Sequence, residues 1–309
     1  MNPPRLTARV KTGPRRVGLA LCGGELLVTV HVGVLEALHR MGVVPDMVAG
    51  TSAGAVMAAL YAHGYGPGAC RDLIRRFPGM RLFDYAFPAT RALWRATAGR
   101  WCADEDWVAP GLFAGRRLQR YLARLLRGRA ACLPYAVVAT DLVSGTPVVF
   151  STWIDLCRRG VATHPGDLSR ALLASCAIPG VVTPVRMGNW VLVDGGLRDL
   201  VPVRVLREAG CTHILAVNLH RLHRPWRPDS VFQVLRRSID VMLQESVEAD
   251  TAGSDVLALK PAYGPVHWWS RRGLVTNADM ARESVWQQRH SIRAFLARAG
   301  DDSNGPSCP

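Results

Sequence analysis

The residues best equipped for chemistry are a serine and an aspartate, each set among glycines. Ser52 lies in Gly50-Thr51-Ser52-Ala53-Gly54, a G-x-S-x-G segment between an apolar run and a small-residue helix. A serine on a sharp strand-to-helix turn presents its Oγ away from the backbone. Gly50 and Gly54 let such a turn close without Cβ clashes. The helix that follows aims its positive end at the reacting centre. Asp194 closes the apolar run Trp190-Val191-Leu192-Val193 and is followed by Gly195 and Gly196, which let the chain turn tightly there. Ser52 offers a nucleophile and Asp194 a carboxylate, a weak base in water that takes up a proton only where burial or stabilisation of the product favours it. The plainer readings are a serine chosen for packing and a turn-forming Asp-Gly pair.

A second glycine cluster precedes both. Val17-Gly18-Leu19-Ala20-Leu21 reads as a first strand, and Cys22-Gly23-Gly24 opens a loop after it. The ordered set of glycine loop, G-x-S-x-G and D-G-G resembles the patatin-like phospholipases, serine acyl hydrolases with a Ser–Asp dyad. Other segments match as well. Ala174-Ser175-Cys176-Ala177-Ile178-Pro179-Gly180 resembles the stretch before the aspartate. Val137 to Gly145 resembles the central strand and turn, and Gly111-Leu112-Phe113 the start of the middle helix. The resemblance covers roughly residues 17 to 263. It implies Ser52 as nucleophile, Asp194 as base, Gly23 and Gly24 as oxyanion-hole donors, and a lipid or phospholipid ester as substrate. It implies no metal and no cofactor.

The glycine loop departs from the family. A third glycine, a small residue, an arginine and a further glycine are expected, but Glu25, Leu26, Leu27 and Val28 stand there. An oxyanion hole works by aiming backbone N–H groups at developing negative charge, which a carboxylate at Glu25 would oppose. Val28 also restricts the backbone where glycine is expected. The alternative expectation is therefore a catalytically weak patatin fold serving as a lipid-binding or regulatory module. Asp199 stands where the family often has asparagine in the run to Pro202-Val203, and reads as structural.

A Ser–His–Asp triad is the competing mechanism, with its histidine after the acid. His213, His220, His223, His267 and His290 all follow Asp194, and none has a recognisable catalytic context. His31 reads as a helix-face residue. Eight cysteines, none in a C-x-x-C pair, argue against zinc. Cys22, Cys132 and Cys176 read as small buried hydrophobes.

The chain has 309 residues, 49% of them hydrophobic, enough for one large α/β domain. With 38 basic residues against 24 acidic, its net charge is +14. That favours acidic partners, and peripheral contact with an anionic membrane is the expected form. An arginine-rich coding bias explains the charge equally well, and no nucleic-acid-binding signature accompanies it. Trp94, Arg95, Arg100 and Trp101, and again Trp268, Trp269, Arg271 and Arg272, suit a lipid–water interface or a lid. With no apolar leader and no span of about 18 apolar residues, the expected location is cytoplasmic, peripheral at the membrane.

The elements that must position the site read as strands at 17–21, 43–49, 135–140, 146–150, 190–194, 213–218 and 256–259. Helices read at 29–40, 53–61, 67–76, 115–127, 168–176, 202–209, 229–248 and 277–298, with 78–110 irregular. This alternation predicts a three-layer α/β/α domain on a mostly parallel sheet, over 17–299. A flexible basic segment, 1–16, and a disordered tail, 300–309, flank it.

Overall fold

The computed structural model describes residues 15–24, 27–86, 111–158, 162–222, 226–228, 230–265 and 270–298. The strands are β1 (Val17–Leu21), β2 (Met47–Thr51), β3 (Gly111–Phe113), β4 (Tyr135–Asp141), β5 (Pro147–Ser151) and β6 (Ala162–Thr163). They continue with β7 (Gly180–Val182), β8 (Val185–Met187), β9 (Trp190–Asp194), β10 (His213–Val217) and β11 (Val256–Leu259). The helices are α1 (Val28–Arg40), α2 (Ala53–Ala62), α3 (Pro67–Arg75), α4 (Arg116–Leu126) and α5 (Ile154–Arg158). After these come α6 (Leu168–Ser175), α7 (Val203–Glu208), α8 (Val231–Asp250), α9 (Arg271–Gln287) and α10 (Arg289–Leu296).

A mixed, mostly parallel sheet flanked by helices results, in the order β11-β10-β1-β2-β4-β5-β6. The strands β11, β10, β1, β2 and β4 pair in parallel. β1, β2, β4 and β10 are buried along their whole length. That follows from their continuous apolar character, since strands covered on both faces have no polar side. β9 pairs antiparallel with β4 and with β8, off the main path.

On the outside of β1 and β2, α1 lies against α9 so closely that a Cβ on Gly33 would fall 2.0 Å from the Ala278 carbonyl oxygen. Glu36 of α1 pairs there with Arg71 of α3 and Arg282 of α9, and Arg71 also reaches Asp279 at 2.9 Å.

Several boundaries differ from those read in the sequence. The strand expected at 43–49 is displaced to Met47–Thr51. Pro45 has no N–H to give a ladder, and pairing with β1 starts at Gly18 opposite Met47. Gly111–Phe113 is not the start of a helix but a short strand paired with β7. Gly115, at φ 74°, then turns the chain into α4. The last helix starts earlier, at Arg271, where the Ser270 hydroxyl accepts the Gly273 N–H at 3.0 Å. It divides at Gln288. Cys132 is exposed rather than buried, and Cys176 is half-buried. The tryptophan–arginine clusters at 94–101 and 268–269 lie outside the described residues, as do Glu25, Leu26, His223, His267 and the tail.

Candidate active site

Ser52 occupies the step between β2 and α2 at φ 52° and ψ −121°, the one described non-glycine residue with positive φ. Such a conformation costs about 1–3 kcal/mol and persists only where surrounding structure enforces it. The enforcement is visible on both sides. A Cβ on Gly50 would fall 2.2 Å from the Gly54 carbonyl oxygen, and one on Gly54 would fall 2.0 Å from that of Leu21. The start of α2 is thus pressed onto the end of β1, and only glycine fits at either place. The Ser52 N–H donates to Ser175 Oγ at 2.8 Å, whose hydroxyl donates to the Val138 carbonyl at 2.6 Å. Ser52 itself is almost fully buried.

The position of Asp194 follows from the pairing around β4. One edge of β4 is taken by β5, over Ala136 to Thr140. The other edge is shared. β2 runs up it in parallel and ends with Thr51 opposite Val138. β9 runs down it antiparallel and ends with Asp194 opposite Ala139. The two strands therefore meet end to end, and the turns that leave them carry Ser52 and Asp194 to one place. Gly195 seals the junction, since a Cβ there would meet the Val138 carbonyl oxygen at 2.3 Å and Thr51 Cγ2 at 3.1 Å. The Asp194 carboxylate accepts the Gly196 N–H at 2.8 Å, and its own N–H donates to the Ala177 carbonyl at 2.9 Å. Both bonds fix its orientation.

Cys176 lies between the two. Its thiol hydrogen-bonds with Ser52 and feels the charge of Asp194. Burial first, and that carboxylate second, push the thiol well above its ordinary range, so it stays neutral. The sequence marked Ser175 as part of a matching segment and Cys176 also as a small buried hydrophobe. Their place, directly after the apolar run Ala171-Leu172-Leu173-Ala174 of α6, is the signal that pointed to a role.

The glycine loop meets the elbow from a third side. A Cβ on Gly23 would stand 3.4 Å from Ser52 Cβ and 2.8 Å from Leu200 Cδ1. The Gly23 N–H donates to the Leu200 carbonyl at 3.1 Å. Gly24 N–H has no hydrogen-bond partner among the described residues. His31 ties the loop down from α1. It is wholly buried, and its Nε2 stands 2.9 Å from the Cys22 carbonyl oxygen. Burial lowers its pKa to about 4, so the ring is neutral and Nε2–H is the donor. From sequence His31 reads only as a helix-face residue. The Cys22 thiol is buried, pushed up to about 12, and accepts the Leu219 N–H at 3.1 Å.

Of the other histidines, His213 starts β10 at the amino end of the sheet, opposite to the Ser52 edge, and bonds the Arg298 carbonyl. His290 belongs to α10. His220 follows β10 at the same edge as Ser52, and its backbone N–H donates to Asn218 Oδ1 at 2.9 Å.

Beyond the elbow a narrow apolar groove of about 70 Å³ opens between α2, α3 and α4. Val56 and Leu60, one and two turns after Ser52, form its inner wall. Val28, Ile74, Phe77 and Leu122 complete it.

The family model for patatin-like phospholipase fits residues 19–207, a span that includes the glycine loop, the serine elbow and the aspartate loop. The chain belongs to the patatin-like phospholipase family. An uncharacterized NTE family protein of Mycobacterium tuberculosis is 32% identical over 213 residues, 68% of this chain and 31% of the relative. Lysophospholipase NTE1 of Candida glabrata is 26% identical over 215 residues, 69% of this chain and 11% of the relative. The chain thus spans about a third or less of these relatives. Among solved structures, VipD from Legionella pneumophila is similar with a TM-score of 0.48 and 14% identity, over 90% of this chain and 67% of that one.

Proposed function

We propose that this chain is a serine-dependent acyl hydrolase acting on lipid carboxylic esters. The observation that carries the reading is the end-to-end meeting of β2 and β9 on β4, which joins a strained Ser52 to an oriented Asp194. Ser52 Oγ attacks the acyl carbonyl carbon as its proton passes to Asp194. The tetrahedral oxyanion collapses, and the departing alcohol takes that proton. Water then attacks the acyl-enzyme, again giving its proton to Asp194, and the acid leaves as Ser52 is restored. The oxyanion is held by Gly24 N–H, joined by Gly23 N–H when it exchanges the Leu200 carbonyl for the charged oxygen. That exchange is favourable because hydrogen bonds to charged acceptors are about twice as strong as neutral ones. The apolar groove beside Val56 receives the acyl chain, its lining being almost wholly hydrophobic. The name lysophospholipase on the Candida relative supports a phospholipid ester as the substrate class.

The test is labelling by a fluorophosphonate, together with turnover of a medium-chain p-nitrophenyl ester and of phospholipid. Ser52→Ala should lose labelling and at least about 10³-fold in turnover, and Asp194→Asn should do the same for turnover. His220→Ala should leave both intact. A specific observation favours the second reading, a lipid-binding module of feeble activity: Gly23 N–H is already paired, and Glu25 follows the loop. A folded wild type that neither labels nor turns over would select it.

A further inference from the structure

Helix α8 is inside out. In a helix of 3.6 residues per turn, Val231, Val234, Leu235, Ile239, Val241 and Met242 fall within one broad stripe. That stripe would ordinarily face a core. Here all six are exposed, Val231 at 78%, Leu235 at 59% and Met242 at 77%. The opposite side turns to the body. Val247 is buried there, Leu243 is half-buried, and so are the polar residues Arg237, Asp240 and Gln244. Isolated exposed apolar side chains need no explanation, but a contiguous stripe over three turns marks an interaction surface.

Three observations select its occupant. First, the position: β10 and β11 are parallel, so the connection carrying α8 starts at the carboxyl edge of the sheet and returns to the amino edge. Ser52 leaves β2 at that same carboxyl edge. The apolar turns are the first ones of the helix, at the end of the connection that leaves the carboxyl edge. Second, the charge: Trp226 and Arg227 precede the helix and are exposed, and the Arg237 guanidinium stands over the Trp226 ring at 5.6 Å. The acids Glu245 and Glu248 lie beyond the stripe, toward the far end. An apolar face with tryptophan and arginine at one end and carboxylates withdrawn to the other suits a surface whose interior is apolar and whose skin is anionic. Third, the shape: the exposed apolar side chains run along the helix from Val231 to Met242, so the contact would lie parallel to the surface.

We propose that the outer face of α8, from Val231 to Met242, docks the protein on an anionic lipid surface and holds the carboxyl edge of the sheet against it. The docking deepens the lipid-hydrolase reading and rests on it only for its purpose. Binding itself does not require turnover.

The experiment is co-sedimentation of the full chain with phosphatidylcholine vesicles with and without phosphatidylglycerol. It compares wild type with Leu235→Gln/Met242→Gln, each checked by thermal melting and by sedimentation velocity without lipid. Both side chains are exposed, so the variant should melt with the wild type. Wild type should bind the anionic vesicles, and the variant should partition at least about ten-fold less. Turnover of a p-nitrophenyl ester in solution should be unchanged, while turnover of vesicle phospholipid falls. Equal binding by both proteins, or no binding by wild type, overturns the proposal. So does a wild-type dimer that the variant dissociates, which would make the face an interface between copies. Binding that the variant loses, in a protein without esterase activity, upholds the docking and sinks the hydrolase reading alone.

Discussion

Asp199 shows how much a single residue can hide. Its sequence position, five after the proposed base, marks it as structural. In the fold it is buried, with neither carboxylate oxygen hydrogen-bonded among the described residues. Its backbone is bonded instead: the carbonyl accepts the Thr51 hydroxyl at 2.7 Å beside Ser52, and the N–H donates to the Gly195 carbonyl at 2.9 Å. Burial first, then Asp250 and Glu208 against the opposing pull of Arg204, raise its pKa to about 7. The folded protein therefore holds a proton that the unfolded chain releases near pH 4. Stability falls as pH rises from about 4 to about 7, and the full penalty is present above that. Asp199→Asn, which restores the family's usual residue, should stabilise the protein at pH 8 by about 1–3 kcal/mol and change little at pH 4. Urea melts at the two pH values would show a gap that opens with pH. A gap of the same size at both would refute the buried, titrating carboxyl. The serine and aspartate themselves were legible, because glycines beside them announce turns. The Gly23 N–H bond to Leu200 was not, since no local pattern reports a partner so distant in sequence.

At the scale of elements, the parallel core was readable and the convergence that makes the site was not. β1 is apolar throughout, β4 up to Ala139 and β10 after His213, and such runs declare buried strands. β3, β6, β7 and β8 are two or three residues long and offer no period to read. That β9 would end against β2 on one edge of β4 depends on pairing across the chain, which the D-G-G signature does not encode. Helix glycines give a direct test of how the elements press together. Gly54 and Gly68 both lie early in helices, α2 and α3. A Cβ on Gly54 collides with the backbone of β1, whereas one on Gly68 meets nothing within 4 Å. Gly68→Ala should gain up to about 1 kcal/mol from helix propensity. Gly54→Ala should lose about 1–3 kcal/mol or more and most of the esterase activity, because the elbow must shift. Chemical denaturation of both decides it, and equal effects would mean that the elbow is not under compression.

For the whole molecule the open quantity is its charge. A net +14 has two explanations with different consequences: an arginine-rich coding bias, or attraction to an anionic surface. They separate because attraction across solvent is screened by salt while burial of apolar side chains is not. The Debye length falls from about 10 Å at 0.1 M to about 3 Å at 1 M. If arginines such as Arg227 and Arg237 guide the apolar turns of α8 onto a bilayer, turnover of phosphatidylglycerol-containing vesicles should drop about ten-fold between 0.05 and 0.5 M salt. Turnover of an ester in solution should stay level over the same range, since the Ser52–Asp194 site is almost fully buried. Measured together, the two rates isolate the contribution of the surface from that of the chemistry. A fall in both would place the salt effect at the site. A fall in neither would leave the charge to coding bias and the docking to apolar contact alone.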